Sequence, residues 1–403
     1  MAKQSNALIK LGLFLFNPII GLFVSLTQVK RNSSFLVFFL FCICFGISFV
    51  VPEDKNSGYT GDGVTYRLKF QRIAKYKTSE FGKLMKDYFE FDDGEKDFYA
   101  IASSFIVSRF TNNYHYIFGF YAAIFAFFLL KSLRFITREQ VFKNTFYCIL
   151  LALIFVMSNP IFNINGVRFW TAAWVGIYCL FEIFINKNKR FLILACLTPL
   201  IHVSFFVYLS VLLIAILFRH FTKFWIILFV LSFFISEVAF LLLESIENYL
   251  PEFLARVIRL YTDPEVMASK DEQRVWYYAI FTIPPRLIIN LTVLFFVKNV
   301  SQIEMKPISF NIYKLILVWM TFVNFTMLVP ALGGRFLQLV IPLIVYVWLT
   351  VFNVKKKKYK RWIIIFLLAF AAPYLYIFRL TLKVTELEFY FSNPFYLIYY
   401  YLV

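Results

Sequence analysis

Apolar runs of membrane-crossing length recur along most of the chain, and short basic loops separate them. In lipid such a run must be helical, because every backbone N–H and C=O needs a partner within the protein. About 20 residues, rising 1.5 Å each, cross the hydrocarbon core. Runs fall at 8–27, 34–51, 114–133, 144–159, 167–185, 190–201, 203–218, 224–243, 274–297, 308–329, 336–352 and 362–380. They predict an all-α polytopic integral membrane protein with about twelve transmembrane helices. Asn17-Pro18 breaks the first run, and Pro284-Pro285-Arg286 interrupts the 274–297 run. The runs at 190–201 and 203–218 are short and meet at His202. The chain reads as one integral membrane domain, 1–403, with two outer polar segments at 52–113 and 244–272. Within the first segment, apolar residues at roughly helical spacing between Tyr66 and Phe91 predict amphipathic helices at the interface.

Composition agrees. Hydrophobic residues make up 61% of the chain and charged residues 16%, well below the roughly 25% charged of a soluble domain. The net charge of +18 does not call for nucleic acid, because much of it lies in short loops where membrane topology and anionic lipid account for it. The five cysteines all sit in apolar runs and form neither a disulfide framework nor a metal-type spacing. The three histidines, His115, His202 and His220, are scattered and predict no metal site. No cofactor motif is present, and no cleavable signal peptide is read, since the first run ends in Gln-Val-Lys-Arg.

Loop charge predicts orientation. The strongest basic loop, Lys355 to Lys358 with Lys360 and Arg361, reads as cytoplasmic. Counting spans back from it places the basic loops at 298–306, 219–223, 187–190, 131–143 and Lys30-Arg31 on the same side. Both long polar segments and both termini then face outward.

Against this pattern, Arg168 and Arg335 stand at outer helix mouths, His202 at an outer junction and Asp62 in the outer segment. Arg286 lies inside its span, about 18 Å from Arg274, a costly depth unless a cavity or partner receives it. Helix breakers cluster in the same half: Asn159-Pro160, Pro199, Pro284-Pro285, and Pro330 with Gly333-Gly334. Irregular backbone at membrane depth survives only where protein or a water-filled cavity receives it. These features predict an outward-facing polar cavity lined by Arg168, His202, Arg286 and Arg335. Each residue also has a plainer reading. Arg168 and Arg335 are candidates for snorkelling anchors, His202 for a buried hydrogen-bonder, Arg286 for an ion pair with Glu237, and Asp62 for an ordinary turn residue.

Such a cavity suits a diphosphate presented by a lipid. Guanidinium groups pair bidentately with phosphate and stabilise charge that develops on a leaving diphosphate. His202 or Asp62 could take the proton of an attacking sugar hydroxyl.

Five short motifs carry a family likeness: Asn17-Pro18-Ile19-Ile20-Gly21-Leu22, Gly61-Asp62-Gly63-Val64-Thr65-Tyr66, Asn165-Gly166-Val167-Arg168-Phe169, Ile201-His202-Val203-Ser204 and Gly334-Arg335-Phe336. In that order the chain resembles the EpsG/Wzy-type bacterial polysaccharide polymerases. It departs from them at Phe169, where members usually carry a polar residue, and in the extra glycines around Asp62. The resemblance implies a GT-C-like, metal-independent glycosyltransferase, with no cofactor, at the outer face of the bacterial inner membrane. It would move a growing glycan from undecaprenyl diphosphate to the next lipid-linked repeat unit. His202 and Asp62 would be catalytic, and Arg168, Arg335, Arg286, Asn165 and Tyr66 would bind substrate. Its partners would be undecaprenyl-diphosphate-linked oligosaccharide, the lipid bilayer and a chain-length regulator protein. Two other classes stay open. A transporter or flippase of lipid-linked sugar should show two similar halves and a midplane site. An O-antigen ligase or acyltransferase-like enzyme would share the cavity and differ in acceptor.

Overall fold

The computed structural model describes residues 2–52, 62–89, 98–143, 145–235, 278–329, 332–352 and 357–403, with a few positions between 241 and 255. These residues are all-helical, with no strand among them. Glu237, Pro330 and the Lys355-Lys356 pair lie outside the described residues, as does the second outer segment except at 245, 249 and 255.

The chain forms α1 (Ala2–Phe16), α2 (Pro18–Leu26), α3 (Asn32–Ile47), α4 (Gly63–Ala74), α5 (Thr78–Phe89), α6 (Phe98–Ser108), α7 (Tyr114–Thr137), α8 (Phe146–Met157) and α9 (Val167–Phe184). Then come α10 (Phe191–Cys196), α11 (Thr198–Ile201), α12 (Phe205–Phe218) and α13 (Thr222–Leu231). Beyond the second segment are α14 (Tyr278–Lys298), α15 (Val300–Glu304), α16 (Pro307–Phe325), α17 (Gly333–Val351), α18 (Lys357–Ala369), α19 (Ala371–Lys383), α20 (Leu387–Phe391) and α21 (Pro394–Leu402).

Five helical stretches among the described residues are long and apolar enough to cross a membrane: Tyr114–Thr137, Phe146–Phe184, Ala279–Lys298, Pro307–Phe325 and Gly333–Val351. A sixth is the pair Tyr359–Ala369 and Ala371–Lys383, bent by 44°. Long helices alone therefore do not reach the expected twelve, because several apolar runs form helices of 10–17 residues. The first run illustrates the cause. Asn17 caps α2 by accepting from the Ile19 and Ile20 N–H groups at 2.9 and 3.1 Å, with Pro18 at the first helical position. The chain bends there so sharply that a Cβ on Gly21 would lie 2.6 Å from Phe14 Cα. The 8–27 run is thus two short helices packed together, not one span.

The prolines at 284 and 285 do not interrupt their helix, as the sequence had suggested: α14 runs through both. Membrane helices carry proline where neighbours satisfy the freed carbonyls. The 52–113 segment also differs from its polar reading. It supplies the expected α4 and α5, but also α6, an apolar helix that packs against both α4 and α11.

The contacts divide the chain into two compact units. The first comprises 1–182, 189–205 and 375–403; the second comprises 183–188 and 206–374. In the first, α3 and α7 cross closely through small residues. A Cβ on Gly46 would collide with Ala122 and lie 2.6 Å from the Phe118 carbonyl oxygen. In the same unit α8 and α9 form a hairpin: Phe155 stacks on Trp174, with ring centroids 5.6 Å apart. Its turn is the six-residue 3-10 segment Ile161–Gly166. In the second unit α14, α16 and α17 pack together. There Asn324 donates to Asn290 at 2.9 Å between buried side chains, an interhelical polar link of the kind membrane helices use.

Candidate functional site

The first unit gathers five of the seven residues singled out from the sequence: Asp62, Tyr66, Asn165, Arg168 and His202. Arg286 and Arg335 belong to the second unit, both half-buried, one within α14 and one at the start of α17.

The site is built on the α8–α9 turn. Buried Asn159 holds it: its Nδ2 donates to the Trp170 carbonyl at 2.9 Å and its Oδ1 accepts from Asn163 at 2.9 Å. Its carbonyl accepts the Trp174 indole N–H at 3.0 Å. Sequence reading recognised Asn159 only as a helix breaker. From the turn, Asn165 Oδ1 accepts the Gly63 backbone N–H at 2.9 Å, which pins the first turn of α4 to the mouth of α9. The exposed Asp62 stands at the N-cap of α4 and makes no capping bond with its side chain. Its Oδ2 reaches the same turn, 3.9 Å from where a Cβ on Gly166 would stand. A side chain larger than hydrogen at 166 would also press on the Trp170 ring at 3.1 Å.

One turn along α4, Tyr66 is 3% exposed and accepts from Arg168 Nε at 2.9 Å. The guanidinium carbon lies 5.6 Å from the ring centre, within cation–π range. Burial pushes the Tyr66 phenol up to about 12; Arg168 opposes that shift and the Asp62 carboxylate adds to it. Arg168 and Asp62 therefore both lie within electrostatic reach of the Tyr66 phenol.

Phe169, the residue after Arg168, is buried and meets His202 edge-on, with ring centroids 5.4 Å apart. It meets Phe205 in the same way, also at 5.4 Å. The apolar residue at the position where the family usually has a polar one is thus a wall against which the imidazole packs. His202 itself sits in the break between α11 and α12, with extended backbone at φ −154° and ψ 125°. The two short helices meet there as the sequence suggested. The Ser204 N–H donates to His202 Nδ1 at 3.2 Å, and the Ser204 hydroxyl lies 2.8 Å from the same nitrogen. A backbone N–H can only donate, so this contact is made by the tautomer with its ring proton on Nε2, while the hydroxyl contact suits either tautomer. No sequence signal marked Ser204 as the residue that contacts the His202 ring.

Among the described residues no three His, Cys, Asp or Glu side chains form a metal site. Chemically, the arrangement offers a guanidinium oriented through Nε, a carboxylate, a neutral phenol and an imidazole N–H.

Fold and site together define a helical multi-pass membrane protein with a polar site built at chain breaks. The chain belongs to the EpsG family, whose sequence model matches residues 37–396, nearly its whole length. That is a Wzy-like family of polysaccharide polymerases, glycosyltransferase-like in general character. No curated protein and no solved structure matches the chain.

Proposed function

We propose that this protein polymerises a lipid-linked glycan at the outer face of the bacterial inner membrane, as a GT-C-like and metal-independent glycosyltransferase. The growing glycan is the donor, carried on undecaprenyl diphosphate, and the next lipid-linked repeat unit is the acceptor. An acceptor hydroxyl attacks the anomeric carbon. The bond from that carbon to the diphosphate oxygen breaks, and undecaprenyl diphosphate leaves with the bonding electrons. Arg168 meets the charge that develops on the leaving diphosphate, with Tyr66 fixing the plane of its guanidinium. Arg286 and Arg335 have the same chemistry for diphosphate within the second unit. Asp62 takes the acceptor proton. His202 donates from Nε2 to a substrate oxygen, a role compatible with the Ser204 N–H on Nδ1. Asn165 keeps the α4 and α9 ends in register, and a chain-length regulator is a partner in the membrane.

The observation that carries this reading is the joining of Arg168, Tyr66, Asp62 and Asn165 across two distant stretches of sequence in a chain of this family. The test is reconstitution of the purified protein in nanodiscs with lipid-linked repeat units. A ladder of glycans longer than one repeat is expected. Translocation of lipid-linked sugar without lengthening, or transfer to a non-glycan acceptor, would overturn it.

A further inference from the structure

The C-terminal tail of the first unit carries a cavity of about 770 Å³. Its walls include Thr385, Glu386, Glu388, Tyr390, Phe391 and Tyr400. Inside the tail, Tyr401 donates to Glu386 at 3.1 Å, and the Thr385 and Tyr390 hydroxyls lie 2.7 Å apart. Glu386, and then Glu388, raise the Tyr400 phenol above its ordinary pKa, so both carboxylates act on the same wall. Tyr400 stacks on Tyr396, with centroids 5.8 Å apart. Phe391 is 80% exposed.

This cavity and the candidate site are anchored to the same end of the unit. The Val50 N–H donates to the Val384 carbonyl at 2.8 Å. Asn113 donates to the Tyr401 carbonyl at 2.7 Å, and the His115 ring lies 5.0 Å from that of Tyr401. Helix α4, which carries Tyr66, holds the adjacent residues: Arg67 donates to the Val51 carbonyl and lies 4.2 Å over the Tyr114 ring. The tail and α4 thus grip the same two points, the end of α3 and the start of α7.

Flat aromatic faces stack against the C–H faces of sugars, and carboxylate oxygens accept from their hydroxyls. A concave apolar wall with a few convergent polar groups is the usual form of a small-molecule site. Two carboxylates also set its selectivity, since like charge repels an acidic ligand. We infer that the tail cavity is a glycan-binding subsite for neutral or amino sugars, distinct from the Arg168 site and excluding uronic acids. The presence of glycan at this face rests on the polymerase reading; the binding chemistry does not.

The test probes the purified full-length protein against an array of neutral, amino and acidic oligosaccharides. Wild type should bind neutral or amino members and none of the acidic ones. Tyr400→Ala and Glu388→Gln should each weaken that binding about tenfold. The proposal is overturned by no member bound by wild type, by acidic members bound as well as neutral ones, or by the same members bound equally by both tail variants. If instead Tyr400→Ala leaves array binding intact and lowers only thermal stability in detergent, Tyr400 is an interfacial belt residue and the subsite is refuted. Array binding that follows the proposal, beside reconstituted protein that makes no polymer, would refute the polymerase reading while leaving the subsite standing.

Discussion

Arg168 Nε donates to the Tyr66 phenol oxygen at 2.9 Å, across 102 residues of sequence. Tyr66 sits one turn into α4, and Asn165 pins that turn to the same mouth of α9. The partner of the arginine is thus itself held in place by the stretch that carries the arginine. A guanidinium oriented in this way loses less freedom when phosphate arrives than one on a mobile side chain.

Arg168→Lys keeps the charge and loses the planar fork; Tyr66→Phe keeps the ring and loses the acceptor for Nε. Both should cut polymer formation on the order of tenfold to a hundredfold, the worth of a hydrogen bond to a charged group. The glycan ladder from reconstituted protein reads the effect, with thermal unfolding as the control for folding. Wild-type ladders from both variants would remove Arg168 from the site.

The Tyr66 phenol gives a pH expectation. Its folded pKa of about 12 lies above the ordinary value of about 10, so the folded state holds the proton more tightly. The stability this contributes is complete below about pH 10 and is lost as pH rises from there through the folded value. At pH 6 to 9 the phenol stays neutral. The ratio of wild-type to Tyr66→Phe activity should therefore be the same at pH 6 and pH 9. A ratio that changes across that window would show the phenol ionising within it.

Asn159 is the hub of the α8–α9 turn, and two of its bonds are made by its side chain. Asn159→Ala leaves the half-buried Trp170 carbonyl and Asn163 amide without those partners. The expected cost is about 1–3 kcal/mol of stability, read as a lowered unfolding temperature in detergent. Asn159→Asp keeps the acceptor for Asn163 and removes the donor to Trp170, so it should still destabilise. Unchanged melting in both variants would show that the turn holds without this side chain.

Much of this site was legible beforehand. Asn165 to Arg168 read as a polar mouth opening into an apolar run, and the mouth is the 3-10 turn leading into α9. Asp62 and Tyr66 fall in one of the motifs that carry the family likeness. Pro199 and two short apolar runs marked the break at His202. Other features were hidden for physical reasons. Nothing local shows that Asn159 faces Trp170 and Asn163, because a side-chain bond to backbone depends on how the hairpin closes. Helix α6 lay inside a segment judged by its average polarity. Pro284 and Pro285 read locally as breakers, although a packed membrane helix carries them. Phe169 read as a missing polar group, whereas it is the surface that His202 packs on.

The last expectation concerns the proton on His202. Ser204 donates its backbone N–H to Nδ1, so the neutral ring offers a donor at Nε2 and holds its lone pair toward Ser204. To act as base at Nδ1 the imidazole would have to break that bond. To act as base at Nε2 it would carry its proton on Nδ1, giving up the Ser204 N–H and donating to the Ser204 hydroxyl instead. As a donor at Nε2 it keeps the Ser204 N–H bond to Nδ1. Glutamine separates these roles, because its amide N–H can donate in place of Nε2 but cannot accept a proton at neutral pH. His202→Gln should retain polymer within about tenfold of wild type, a loss no larger than one imperfect hydrogen bond, while His202→Ala should lose most of it. Asp62→Asn should then be the variant that abolishes lengthening in folded protein while lipid-linked repeat units accumulate. Loss of polymer in His202→Gln equal to that in His202→Ala, together with residual activity in Asp62→Asn, would make His202 the base and Asp62 a residue of the turn.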